Sequence, residues 1–384
     1  MTDCTNFRTA RPTADPGPLQ LGVEEEYLLV DPVTRATVPL GGPVLAETRQ
    51  VLGERAECEF FATQLEVCTP PVATATELRR ELVAMRRAAV DAAARAGCLL
   101  VASGTAVLPS RHPLPLTPTS RYRRIAEHVG PLVTDRVGGE ASGCHVHLGE
   151  LTRGQALLLS GLLRPWLPVF QAVSANSPFV EGMDRNWASG RSVHYRAWPT
   201  VGPSPLLDET GYERLVRRLI SSGVLLDRRM IYWYARPSEH VPTLEVRIAD
   251  VNADPDVTVL LAVLLRGLAR TLLDESSRRP APTPALSAAH RWAARSGLRD
   301  TGLDPFTGDP RPMVRMFEEL LDRAAPGLAA HGDLATAHTL AARLISTGTG
   351  ADRQRAAYAR RHVLADVVDD LAAVTALAPG PVPA

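Results

Sequence analysis

Four short stretches of this chain each set two polar residues two positions apart inside an apolar run: Glu24 with Glu26, Gln64 with Glu66, His145 with His147, and Glu245 with Arg247. Side chains on a strand alternate between its faces, so each pair points to one side of its strand. On neighbouring antiparallel strands the pairs would line one sheet face with carboxylates, imidazoles and a guanidinium. Such a set suits hard divalent cations and phosphate groups. Taken singly, each pair has a plainer reading: a solvated strand face for Glu24 and Glu26, the wet face of an edge strand for Gln64 and Glu66, a structural ion pair for Glu245 and Arg247. Leu21, Val23, Leu28 and Leu29 argue against solvation of the first pair. Two same-face imidazoles in an apolar strand suit a divalent metal and a phosphate. The combination reads as an enzyme, with Arg247 as the cation beside a transferring phosphoryl group.

Arg191 and Arg196 add two guanidinium groups able to clamp a carboxylate or phosphate bidentately. They lie in a stretch from Ala175 to Pro205, rich in Asn, Ser, Gly and Pro, that reads as a long ordered loop of the kind that often carries function. All 42 basic residues are Arg, balanced by 42 acidic ones. Without Lys there is no Lys nucleophile, no Schiff base and no phosphate-binding P-loop Lys. Zero net charge without single-sign runs gives no nucleic-acid or anionic-membrane surface, so the substrate is expected to be small. The apolar stretch from Val257 to Leu265 is cut off by Arg266 and Arg270, too soon for a membrane span. The five cysteines form no C-x-x-C pair, and the N-terminus shows no basic-then-apolar signal segment, so a reducing cytoplasm is expected.

The elements that must position these residues are partly legible. A strand is expected from Gln20 to Val30, and a second apolar run from Glu59 to Cys68 ends at Pro70-Pro71. Thr74 with Glu77 forms a capping box, and Leu78, Leu82, Met85, Ala89 and Ala92 recur at helical spacing up to Gly97. Strands follow at Cys98 to Ser103 and around Cys144 to Leu148, with a short helix near Tyr122 between them. A helix from Thr152 is broken near Pro165 and Pro168. After a strand from Thr243 to Ile248, Asp254 and Pro255 open a buried helix. Ser276 to Ser287 is linker-like, and the remainder is mostly helical. The organisation is a flexible arm at 1–18, one catalytic domain at 19–376 and a flexible tail at 377–384.

The chain resembles the bacterial carboxylate-amine ligases labelled glutamate-cysteine ligase type 2, similar in turn to glutamine synthetase. The matching segments are Leu21 to Tyr27, Gln64 to Val67 with Thr69-Pro70-Pro71, Gly143 to His147, Asn176 to Phe179, Trp198 to Gly202, Glu245 to Arg247 with Asp250-Val251, and Gly350 to Arg355. The resemblance implies an α+β, glutamine-synthetase-like fold, a curved and mostly antiparallel sheet with helices on its outer face. It implies Glu24, Glu26, Glu66, His145 and Glu245 as the metal set, Arg247 as catalytic and His147 as nucleotide-binding; the loop arginines are added to these, Arg191 as catalytic and Arg196, with Arg247, as nucleotide-binding. ATP with Mg2+, or Mn2+ in its place, would activate a small carboxylic acid as an acyl phosphate, and a small amine would then form the amide. The chain departs from the family where Gly190, in place of an aromatic residue, precedes Arg191, which leaves the acid and amine open. A guanidino-kinase-like phosphotransferase and a degenerate non-catalytic ATP-binding domain are the alternatives. The oligomeric state is left open, a homo-oligomer included.

Overall fold

The structure, a computed structural model, describes residues 18–130, 134, 139–275 and 280–376. The expected arm, but for Pro18, the expected tail, and residues 276–279 of the expected linker lie outside the described residues. The organising element is β1 (Leu21–Val30), in the place expected of the first strand. Then come α1 (Gly41–Leu52), β2 (Ala56–Cys58), β3 (Gln64–Cys68), α2 (Ala75–Arg95), β4 (Leu99–Val101), α3 (Ser120–Val129) and β5 (Gly143–Leu148). The chain continues through α4 (Arg153–Leu163), α5 (Leu167–Val173), β6 (Phe179–Val180), β7 (Met183–Asp184), α6 (Arg191–His194), α7 (Glu209–Ser221), β8 (Ala235–Pro237) and β9 (Leu244–Asp250). It closes with α8 (Pro255–Asp274), α9 (Leu286–Ser296), β10 (Thr301–Leu303), β11 (Pro310–Pro312), α10 (Met313–Ala330), α11 (Leu334–Thr347), α12 (Gly350–Arg361) and α13 (Leu364–Ala376).

Seven strands form the main sheet in the order β2-β3-β1-β5-β9-β8, with β4 also on β1, and every pairing in it is antiparallel. One face is roofed by α2 and α8, with α10 and α11 packed on α8. Thr74 and Glu77 cap α2 reciprocally, and Asp254 caps α8 by accepting from the Asp256 N–H. Because α8 is buried on nearly every side, its sequence is apolar all round rather than striped. The break expected near Pro165 and Pro168 separates α4 from α5 at 73°. No single helix among the described residues is long and apolar enough to cross a membrane.

The roof is fastened to β1 by charge. Glu25 points away from Glu24 and Glu26 and meets Arg86 of α2 through two hydrogen bonds, 2.5 and 2.8 Å, while Tyr27 and Thr258 donate to the same carboxylate. Arg86 also donates to the carbonyls of Asn252 and Ala253 just before α8.

The stretch from Ala175 to Pro205 is more structured than its sequence suggests. It holds the β6-β7 hairpin and α6, and Ala188 to Ser192 are buried. These elements are too short to leave a periodic signal; tertiary hydrogen bonds hold them instead. The Ser177 hydroxyl donates to Asp250 and accepts from the Arg191 N–H, and the Gly190 N–H donates to the Ser177 carbonyl. A Cβ at Gly190 would stand 2.8 Å from that carbonyl and 2.5 Å from Val180 Cγ2, so this backbone has no room for the aromatic residue expected there.

Candidate active site

Strand register brings the four sequence pairs together. Glu24 lies opposite His145, Glu26 opposite Glu66, and His147 opposite Glu245. Directly opposite residues on antiparallel strands share a face and stand close enough for side chains to interact. Glu24 therefore receives both imidazoles, His145 Nδ1 at 2.9 Å and His147 Nε2 at 3.0 Å. Glu245 is held by Arg247 and by Arg236, the latter at 2.8 Å. These groups, except His145 buried beneath them, line a cavity of about 610 Å³ together with Arg191, Tyr195, Tyr122, Trp198 and Tyr232.

Two sets of three ligand atoms converge around His145: Glu24, His145 and Glu245, and Glu26, Glu66 and His145. All five residues named by the resemblance as the metal set fall in one or other. The two sets differ electrostatically. Burial opposes ionisation of Glu24, but hydrogen bonds from His145 and His147 outweigh it and hold the carboxyl far below its usual range. At Glu245, Arg236, Arg247 and His147 likewise overcome burial. On the other side the charge of Arg247 is outweighed by burial and by the neighbouring carboxylates. Burial and the charges of Glu24, Glu59 and Glu26 push Glu66 well up, and burial with Glu26 pushes Glu59 up to about 7. His145 Nε2 faces this set, 3.4 Å from Glu26 Oε1, and has no hydrogen-bond partner. Carboxylates that Arg247 compensates only in part, beside an imidazole nitrogen with no hydrogen bond, fit a hard divalent cation.

A pH dependence follows. Folded, Glu59 and Glu66 hold protons that the unfolded chain releases near 4.5, so their stabilising contribution is full below that pH and is lost as pH rises through the raised values. In EDTA the melting temperature should therefore rise as pH falls from about 8 to about 6.5, and Mg2+ should raise it most at the alkaline end. Below about 6.5, His290 works against the gain, because burial and the charges of Arg196 and Arg164 hold it down to about 3. A flat profile between pH 8 and 6.5 in EDTA would contradict the assignment of these two carboxyls.

Arg191 reaches the same face from α6. Its guanidinium stacks on Tyr195 at 5.0 Å, donates weakly to the carbonyls of Arg247 and Ile248, and lies 3.9 Å from Asp250. It sits over Gly143, where a Cβ would displace the guanidinium from its present place. Arg196 does not join the others; it lines a second cavity on the far side of α6 and shares none of the first one's lining. Arg196 lies in the 3-10 turn Tyr195–Ala197 that follows α6.

Sequence parity overlooks three residues here. Arg236 faces Glu245 only because β8 pairs with β9 in that register. Glu59 lies in the turn before β3, where alternation has no force. Asp250 is five residues from Glu245 and on strict alternation would face the roof. A bulge, with Arg247 and Ile248 both opposite His145, returns it to the site side, where Ser177 and Ser189 bond it at 2.6 and 2.8 Å.

The architecture has solved counterparts. Glutamate–cysteine ligase from Francisella tularensis, determined in complex with AMP, superposes with a TM-score of 0.69 at 12% identity, covering 94% of this chain and 89% of that one. The chain has the fold of that glutamate–cysteine ligase. The sequence pattern of glutamate-cysteine ligase family 2 matches residues 20–370, and the chain belongs to that family. Two relatives, from Salinispora tropica and Salinispora arenicola, both carry the name "Putative glutamate--cysteine ligase 2". They are 41% and 40% identical, over 90% and 97% of this chain and 93% and 99% of their own lengths.

Proposed function

We propose that this ligase activates the side-chain carboxylate of glutamate with ATP and joins it to the amine of cysteine or a similar small amine, through an acyl phosphate. The observation that carries the reading is the pair of three-ligand sets sharing His145, with Arg247 beside them on one sheet face. The names of the relatives support glutamate and cysteine as substrates.

Mg2+, or Mn2+, would be held by Glu26, Glu66 and His145 and by Glu24, His145 and Glu245. Bound there it would neutralise the carboxylates and draw charge from the transferring phosphoryl group. A carboxylate is a poor acyl electrophile, so its oxygen first takes the terminal phosphoryl group; the amine then attacks the carbonyl carbon and phosphate leaves. Arg247, half-buried and fixed by Glu245, holds its guanidinium where charge develops on that group and moves little during the step. His147, tied by Thr243 at one nitrogen and Glu24 at the other, presents its ring beside the nucleotide phosphates. Arg191, fixed between Tyr195 and Asp250, offers a planar fork to a substrate carboxylate. Phe60, Tyr122, Trp198 and Tyr232 meet edge to face and give the cavity an apolar wall that excludes water from the acyl phosphate. Four free cysteines, at 58, 68, 98 and 144, suit the reducing cytoplasm.

The test is hydroxamate trapping: the protein with ATP, Mg2+, hydroxylamine as surrogate amine, and a panel of carboxylic acids. Glutamate is expected to give a hydroxamate only with ATP present. Signal from another acid and none from glutamate would keep the chemistry and replace the substrate. No hydroxamate from any acid, with folded protein that binds ATP, would overturn the acyl-phosphate reading.

A further inference from the structure

The cavity behind α6 has a volume of about 260 Å³ and is lined by Arg196, Arg291, Tyr234, Gln171, Ser192 and His290, among others. Its charge is one-sided. Neither Arg196 nor Arg291 has a carboxylate within ion-pair distance among the described residues; Arg291 only stacks over Trp187, 5.8 Å from the ring centre. Arg164, close enough to influence His290, also has a buried Nε without a hydrogen bond. Elsewhere the arginines are mostly paired, as Arg153, Arg228, Arg236 and Arg355 illustrate. A cluster of unpaired guanidinium groups around one recess attracts an anion.

The floor adds a requirement of its own. His290 is only 4% exposed, and its Nδ1 lies 2.7 Å from Gln171 Oε1. With a carbonyl oxygen as that neighbour, Nδ1 carries the proton and Nε2 is left as an acceptor. Nε2 is buried and has no partner. Burial and the surrounding arginines keep the ring neutral, so it does not supply a second donor. The Tyr234 ring packs 4.7 Å from the imidazole, and no described residue bonds its hydroxyl. The mouth therefore offers donors to an anion, and the floor offers an acceptor to a ligand hydroxyl or amine.

We propose that this cavity is a second binding site, separate from the catalytic one, for a small dicarboxylate carrying a hydroxyl or amino group. Arg196 and Arg291 take the carboxylates, and His290 Nε2 accepts the hydrogen bond from the donor between them. The site shares α6 with the catalytic cavity, since Ser192 lines one and Arg191 the other.

L-malate is the probe, titrated calorimetrically into the full chain without Mg2+ and compared with succinate, which lacks the hydroxyl. Saturable binding of malate is expected, with succinate about tenfold weaker or more. Arg291→Gln, at an exposed position, should weaken malate at least as much without changing the melting temperature. Arg247→Lys should leave malate binding as it is. Absence of saturable binding, unchanged affinity in Arg291→Gln, or loss of binding in Arg247→Lys would each overturn the proposal, the last by placing the anion in the catalytic cavity. Succinate binding as tightly as malate would remove His290 from the site and overturn the ligand class.

Discussion

Replacing Arg247 by Lys should lower kcat by about 10³-fold or more, read as phosphate release or hydroxamate formation, with little change in melting temperature. The side chain is 12% exposed and pairs with Glu245 through Nη1, and the same nitrogen lies 3.4 Å from His145 Nδ1. Its Nε is buried without a hydrogen bond. Leaving a guanidinium donor unpaired in the interior is costly. Here the unpaired edge belongs to a side chain lining the cavity, so a ligand oxygen would satisfy it. A Lys ammonium preserves the charge and can still reach Glu245, which Arg236 also holds, so the fold should tolerate the change. It lacks the planar fork that meets two phosphoryl oxygens at once. A rate within tenfold of wild type would make Arg247 a structural partner of Glu245 and remove it from the reaction.

Glu25→Gln or Arg86→Met should each destabilise the protein by about 3–5 kcal/mol in urea denaturation, because either leaves an uncompensated charge in the interior. Both partners are buried, at 0% and 3% exposure, and their contact joins β1 to α2 and the segment leading into α8. The remaining hydrogen bonds of Arg86 to the carbonyls of Asn252 and Ala253 do not neutralise it. The double variant should cost less than the two single changes added, since it removes both charges together. Strict additivity would mean that the pair does not act as a unit. Since Glu24 and Glu26 flank Glu25 on the same strand, the single variants are also expected to lower activity by letting β1 shift.

Where the chemistry is local, the amino-acid order is enough to place it. Capping is local, so Thr74 with Glu77 and Asp254 with Pro255 mark the starts of α2 and α8 correctly. Strand alternation is local too, and it separates Glu25 from Glu24 and Glu26. It also groups the eight polar side chains into four same-face pairs. The hairpins β6-β7 and β10-β11 escape a reading of this kind, because two- and three-residue strands leave no period to detect. Helix α6 escapes it for the same reason, and with it the turn that points Arg191 and Arg196 into different cavities.

The amino-acid order by itself determined which side chains each strand presents together, because the period of two is a property of the backbone at every residue. It also determined the absence of Lys, and with it the reliance on Arg for every fixed cation other than imidazole. Only the tertiary structure decided which pairs face one another, since register depends on contacts between residues far apart in the chain. Glu26 meets Glu66 across 40 positions and Glu24 meets His145 across 121. The tertiary structure also placed the β9 bulge that turns Asp250 toward Arg191, and brought Arg236 and Glu59 to the site. A single inserted residue reverses a strand's facing, and its position is set by the neighbouring strand rather than by the residues of the bulge.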